Sequence, residues 1–329
     1  MALFVGIGLS TLFGIGPMAL YAVLLTFFDR YEKEPPLLMF GVFMWGMIVA
    51  AGSALILNTL FGVGLFVATG SEGIASLGSA VLSAPLVEET VKGLAVFAVF
   101  VYFYQEFDSI LDGIIYGSLV GFGFAAAENV NYIFFYGFSE GGLEGLFAVT
   151  FMRVIMIAFL HAMLTSFTGI GFAVARLNKG LLRFVAPVLG FGTAIFLHAF
   201  HNTLSSVGIP LVCLLGSLID WMGFGGMFLF ILYLVWREGQ IVRRHLREEV
   251  ELGHLSAQQY QMACSVTGQM AARLSALAGG RWMKSSNFYD MCGELAFKKY
   301  QLARVGPEPG TQAIIDRLRG QLAVLSPGV

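Results

Sequence analysis

Residues 113–129 read Gly113-Ile-Ile-Tyr-Gly117-Ser-Leu-Val-Gly121-Phe-Gly-Phe-Ala125-Ala-Ala-Glu128-Asn129. No charge interrupts the stretch until Glu128, and a small residue recurs at every fourth position. That spacing places Gly113, Gly117, Gly121 and Ala125 on one helix face, a ridge that lets another helix approach closely. The helix has no polar side, so it cannot lie on the surface of a soluble protein. It also ends on an acid and an amide, groups that are expensive in a nonpolar medium.

Working outward, the rest of the chain has the same character. Of 329 residues, 57% are apolar and only 12% charged, with a mean hydropathy of +0.78. Soluble domains carry about 25% charged residues, so lipid is the solvent for most of this chain. About 20 apolar residues cross a bilayer, and seven runs qualify: 3–28, 37–69, 75–104, 110–138, 145–175, 181–205 and 209–236. The fold expected is all-α, a polytopic transmembrane bundle of seven spans, or eight if the second run breaks near Gly62 and Gly64. The first run lacks a basic leader and is too long for a signal peptide, so it reads as a retained anchor. A net charge of −2 with no basic platform excludes a nucleic-acid partner.

Charge divides the chain at Trp236. Residues 1–236 hold 7 Lys/Arg against 13 Asp/Glu, and residues 237–329 hold 12 against 8. A membrane domain over 1–236 is therefore followed by a polar helical tail over 237–329. The basic residues Arg30, Lys33, Arg176, Lys179 and Arg183, with Arg237 and Arg243 at the start of the tail, fall on one side of a seven-span topology. The positive-inside rule then places the amino terminus outside and the tail in the cytoplasm. Pro307-Glu-Pro309-Gly310 reads as a hinge in that tail. Leu255, Tyr260, Met270, Leu274 and Leu277 read as its packing stripe.

Ionisable residues inside spans are functional candidates by default. Here they are Glu88, Glu89 and Lys92, then Asp112 and Glu128 with Asn129, then Arg153 and His161, then His198, His201 and Asn202, and last Asp220. Five carboxylates face only Lys92 and Arg153. An excess of negative charge in lipid calls for protonation, water or a bound cation. The nearby histidines favour a cation, since imidazole with carboxylate is a zinc ligand set. At about 1.5 Å per residue, Glu88, Glu128, His161 and His198 fall in one layer of the outer half. Asp112 lies outside it and reads as structural, as does Asp220 in the last span. Glu88 and Glu89 point about 100° apart, so one is expected to face the site and the other to anchor it. Lys92 and Arg153 read as counter-charges.

Glu88-Glu89-x-x-Lys92, Phe124-Ala-Ala-Ala-Glu128-Asn129 and His198-x-x-x-Asn202 resemble the motifs of the PrsW family of intramembrane proteases, kin to the CPBP and CAAX-type membrane endopeptidases. The resemblance covers about residues 80–205. It departs at Asn202, where the PrsW pattern has Asp. It implies a hydrolase that cleaves a single-pass, membrane-anchored protein near the outer face, such as an anti-sigma factor in envelope-stress signalling. It also implies a bacterial inner-membrane location. Two mechanisms stay open. In one, Glu128, His161 and His198 hold zinc, and Glu88 or Glu89 is the general base. In the other, a glutamate and His198 activate water without metal, and Asn202 and Asn129 donate to the oxyanion; His201 supports either. A transporter or channel with a buried proton or cation site is the competing reading, and a non-catalytic scaffold the next.

Overall fold

The computed structural model describes residues 2–329, and all of its regular structure is helical. After α1 (Ala2–Thr26), α2 (Pro36–Met44) runs through a π-helical turn at Trp45–Ala50 into α3 (Ala51–Thr69). Next, α4 (Glu72–Gly78) runs through a π-turn at Ser79–Ser83 into α5 (Ala84–Tyr102). Beyond a short loop lie α6 (Ile110–Tyr132), a π-turn at Ile133–Phe138, α7 (Ser139–Phe151), a π-turn at Met152–Met156 and α8 (Leu160–Arg176). The bundle closes with α9 (Leu182–Ser206) and α10 (Pro210–Glu251).

Among the described residues, five helical runs are long and apolar enough to cross a membrane, where seven were expected. Two physical reasons account for the difference. Helix α5 carries Glu88, Glu89 and Lys92 in its first turns and is not among the five. Residues Ile110–Arg176 form one near-continuous helical run and count once. That run is not straight, because Gly142 turns the backbone at φ 58°. Gly145 then packs on Gly137, where a Cβ would lie 2.4 Å from the Gly137 carbonyl oxygen.

Helix α6 is the axis of the bundle. Every residue from Leu111 to Ala126 is buried, as a helix without a polar face requires. Its glycine ridge lies against α8. A Cβ on Gly113, Gly117 or Gly121 would meet the carbonyl oxygen of Gly169, Thr165 or His161 at 2.4, 2.6 and 2.4 Å. The ridge therefore sets the height of His161 beside α6. On the other side, the Gly46 and Gly123 backbones interlock with Val120 and Phe43. At the start of α6, Ser109 and Asp112 form a capping box. Asp112 is thus structural, as expected.

The composition boundary at Trp236 falls inside α10, which continues unbroken to Glu251. Four further helices follow: α11 (Ala257–Ala263), α12 (Val266–Ala278), α13 (Trp282–Val305) and α14 (Thr311–Leu325). They bury a second core of Leu246, Phe288, Tyr289, Leu295 and Leu318, into which Tyr31 inserts from the loop after α1. Leu255 and Tyr260 join this core, but Met270, Leu274 and Leu277 of the expected stripe are exposed. The Pro307–Gly310 hinge links α13 to α14, and Glu308 within it pairs with Arg176 at 2.5 Å.

Candidate metal centre

Five elements supply the charged and polar residues. Helix α5 brings Glu88, Glu89 and Lys92, α6 brings Glu128 and Asn129, α8 brings His161, and α9 brings His198. Arg153 comes from the π-turn ahead of α8. π-turns widen a helix locally and often mark functional sites. Two of them frame this one, since Ser79–Ser83 leads directly into α5.

The adjacent glutamates have different surroundings. Glu89 is fully buried and satisfied. Lys92 Nζ donates to its Oε1 at 2.5 Å, His198 Nδ1 meets the same oxygen at 2.9 Å, and the Thr165 hydroxyl donates to Oε2 at 3.2 Å. Lys92 also donates to His161 Nδ1 at 3.2 Å and lies 4.5 Å from the Phe124 ring centroid. Glu88 has less. Asn58 Nδ2 donates to its Oε1 at 3.3 Å, and its Oε2 is buried with no hydrogen-bond partner among the described residues. That oxygen faces His198 Nε2 at 3.8 Å.

Proton positions follow from donor inventory. An ammonium only donates and a carboxylate only accepts. Lys92 therefore makes His161 Nδ1 an acceptor, and Nε2–H donates to Glu128 Oε2 at 2.8 Å. Glu89 makes His198 Nδ1 the donor, so its Nε2 carries a lone pair. Glu88 Oε2 and His198 Nε2 are thus two acceptors facing each other with no donor between them. His161 stands beside them: one ligand atom from each of Glu88, His161 and His198 lies within 4.8 Å of the others and all three residues are buried, with the two His161 nitrogens engaged by Lys92 and Glu128.

The charge balance agrees. Arg153 pairs with Glu128 and donates from Nε to Asn129 Oδ1 at 2.9 Å. Lys92 pairs with Glu89. Among the described residues, Glu88 has neither Lys nor Arg as an ion-pair partner. This is the negative charge that a cation would offset. The converging group has Glu88 where the sequence reading placed Glu128, because Arg153 has claimed Glu128. A cavity of about 890 Å³ opens beside the site, lined by both Glu88 and Glu128 together with Asn58, Phe124, Tyr132 and Tyr136.

Two expected residues lie apart from this set. Asn202 donates to the Ala80 carbonyl at 2.7 Å, an acceptor in the π-turn ahead of α5. His201 pairs with Asp220 of α10 at 2.8 Å, which explains why both stand in apolar helices. Asn129 is buried and leaves its Nδ2 without a partner among the described residues.

A sequence profile of the PrsW family intramembrane metalloproteases matches residues 34–236. The chain belongs to this family. Protease PrsW of Geobacillus kaustophilus (strain HTA426) is 30% identical over 176 residues, 54% of this chain and 70% of that protein. Protease PrsW of Bacillus subtilis (strain 168) is 24% identical over 208 residues, 63% of this chain and 82% of that one. No solved structure matches. As a PrsW family member the chain is an integral membrane protease, and its Glu/His/His group is able to coordinate a metal ion. Residues 237–329 lie beyond the matched family segment.

Sequence reasoning passed over Asn58 and Ser83. The signal for Asn58 was present: it is the one Asn or Gln in the apolar run 37–69. Such an amide needs a partner, and in the fold its partners are Glu88 and Ser83.

Proposed function

We propose that this PrsW family protease is a zinc endopeptidase that cuts a single-pass membrane protein near the outer face of a bacterial inner membrane. The observation that carries the metal is the facing pair of acceptors, Glu88 Oε2 and His198 Nε2 at 3.8 Å, with His161 beside them. Glu88 and His198 would hold the ion, and His161 would join them by giving up one of its two hydrogen bonds, to Lys92 or to Glu128. Bound there, zinc supplies Lewis acidity, polarising a peptide carbonyl and lowering the pKa of a water.

The chain's own residues do the remaining work. Glu89 holds His198 by Nδ1 and keeps Nε2 free as a ligand atom, the usual role of a carboxylate behind a metal-binding histidine. Lys92 neutralises Glu89 and orients His161. Glu128 shares the cavity with Glu88 and is the general base for the attacking water. Arg153 and His161 both bind its Oε2, which fixes the carboxylate in place at the cavity. The proton then passes from Glu128 to the leaving amine.

Topology completes the proposal. The chain crosses seven times, with α4–α5 as one crossing and Ile110–Arg176 divided at Gly142 into two. The basic loops support an external amino terminus and a cytoplasmic tail, and the depth of the polar layer supports cleavage in the outer half. An anti-sigma factor is the substrate to try first. The test is cleavage by the purified protein in detergent of a panel of single-pass membrane proteins, with metal analysis alongside. Expected is loss of cleavage on chelation and its return with zinc. Cleavage at full rate by metal-free protein would overturn the metal role, and full-rate cleavage by Glu88→Gln or His198→Ala would overturn the site.

A further inference from the structure

Glu88 stands on the first turns of α5, but the group that orients it comes from a different helix. Asn58 lies two-fifths of the way along α3, half-buried and lining the cavity that Glu88 and Glu128 share. Its amide has two engaged ends. Ser83 Oγ donates to Asn58 Oδ1 at 2.8 Å, and Asn58 Nδ2 donates to Glu88 Oε1 at 3.3 Å. The two contacts decide which way the amide faces. A carboxylate only accepts, so the NH₂ end turns to Glu88 and the amide oxygen is left to accept from the Ser83 hydroxyl. Ser83 is itself buried and closes the π-turn just before α5.

A carboxylate has two oxygens, and only one is tied down here. Asn58 holds Oε1, which leaves Oε2 to point at His198 Nε2. Without that hold, Glu88 has a flexible side chain, no cationic partner among the described residues, and a cavity of about 890 Å³ to swing into. We propose that Asn58 is a positioning residue that aims Glu88 at His161 and His198, and that Ser83 braces its far end. This rests on the reading of Glu88, His161 and His198 as metal ligands. Residues behind metal ligands typically change metal affinity about 10–100-fold when lost.

A purely structural role makes a different forecast. If Asn58 serves only to tie α3 to the π-turn through Ser83, then Ser83→Ala should do as much harm as Asn58→Leu, and Asn58→Asp, which keeps an acceptor for Ser83, should be mild. Positioning reverses that order, because Asn58→Asp removes the donor to Glu88 and adds a like charge. The test uses cobalt(II) as the probe. Its affinity and d–d absorption are measured for the full-length protein in detergent, with thermal midpoints recorded for each variant. Expected are losses of about 10–100-fold in cobalt affinity for Asn58→Leu and Asn58→Asp, an altered absorption band, and under about tenfold for Ser83→Ala. Thr59→Val, on the same cavity wall, should match wild type. Wild-type cobalt affinity and absorption in both Asn58 variants would overturn the proposal, as would the structural order of effects. Should Asn58→Leu not fold, Asn58→Asp and Ser83→Ala decide between the two orders. A wild-type protein that takes up no cobalt ends the metal reading and this inference together, whereas normal uptake with unaffected Asn58 variants ends only this inference.

Discussion

Two buried lysines anchor two different regions of this molecule. Lys92 lies inside the bundle between Glu89 and His161. Lys298 of α13 lies where the tail meets the loops. It donates to the Gln105 carbonyl at 2.5 Å and to Asp108 at 2.8 Å, with Glu32 at 4.0 Å. Both are ammonium groups among carboxylates, yet their neighbourhoods differ. Around Lys298 the acceptors are a backbone carbonyl and loop acids, with no histidine among them and the tail core behind. Each region has a buried carboxylate oxygen without a hydrogen-bond partner among the described residues and a cavity beside it, Glu32 Oε2 near Lys298 and Glu88 Oε2 near Lys92. The difference is histidine: near Lys92 that oxygen faces a ring nitrogen, which makes a ligand set, whereas acids around a lysine alone make an anchor.

The largest effect should come from the histidine-bearing side. Glu88→Gln should lower cleavage by roughly 10²–10⁴-fold, with metal content falling in parallel. Its thermal midpoint should hold or rise, because the carboxylate removed has no cationic partner. A Glu88→Gln protein that cleaves normally, or that unfolds, would erase the contrast.

Glu89→Gln and Lys92→Met should act differently. Each breaks a fully buried pair, which costs about 3–5 kcal/mol. Cleavage and thermal midpoint should therefore fall together, with Lys92→Met the more damaging because Glu89 then remains buried and charged. Equal midpoints for Glu88→Gln and Glu89→Gln would show that the two glutamates are equivalent after all.

Lys298→Met tests the other region. Asp108 loses its cation, and hydrogen exchange in α13 should accelerate by about tenfold or more while cleavage changes by less than tenfold, consistent with about 1–3 kcal/mol for stranding a buried acceptor. Loss of cleavage as deep as in Glu88→Gln would mean that the tail governs the chemistry. Glu308→Gln, at the largely buried pair with Arg176, should lower α14 protection by about 1–3 kcal/mol.

The smallest effect is in pH. Burial works against the charge of Lys298, but Asp108 and Glu32 outweigh it and hold the ammonium above the ordinary lysine range. Its contribution is present below that ordinary range and is lost only as pH rises through the higher folded value, so this cation does not titrate near neutrality. The acids of the first loop go the other way. Burial pushes Asp29, Glu32 and Glu34 well above the usual carboxylate range, with Asp108 and Asp112 adding to it. A carboxyl that holds its proton better folded than unfolded loses stability as pH rises above about 4. Protection of α13 should therefore decline gently from pH 5.5 to 8, and Glu32→Gln should flatten the slope.

Local pattern determined a great deal. Composition and run length require a helical membrane protein, because a chain so poor in charge cannot face water along its length. The glycine ridge at Gly113, Gly117 and Gly121 announced a close helix neighbour, and Asp112, outside the polar layer, was legible as structural. Glu88, Glu89, Glu128, His161 and His198 stood out because ionisable groups are costly in lipid. Tertiary structure decided which of them meet. Arg153 arrives from a π-turn to pair with Glu128, and the converging Glu/His/His group takes Glu88. The Asn202 amide meets the Ala80 carbonyl. Spacing along one helix fixes a direction around that helix alone. Which of two adjacent glutamates is satisfied, and which is left facing a histidine, depends on donors from α3, α8 and α9, and no local pattern specifies how those helices meet.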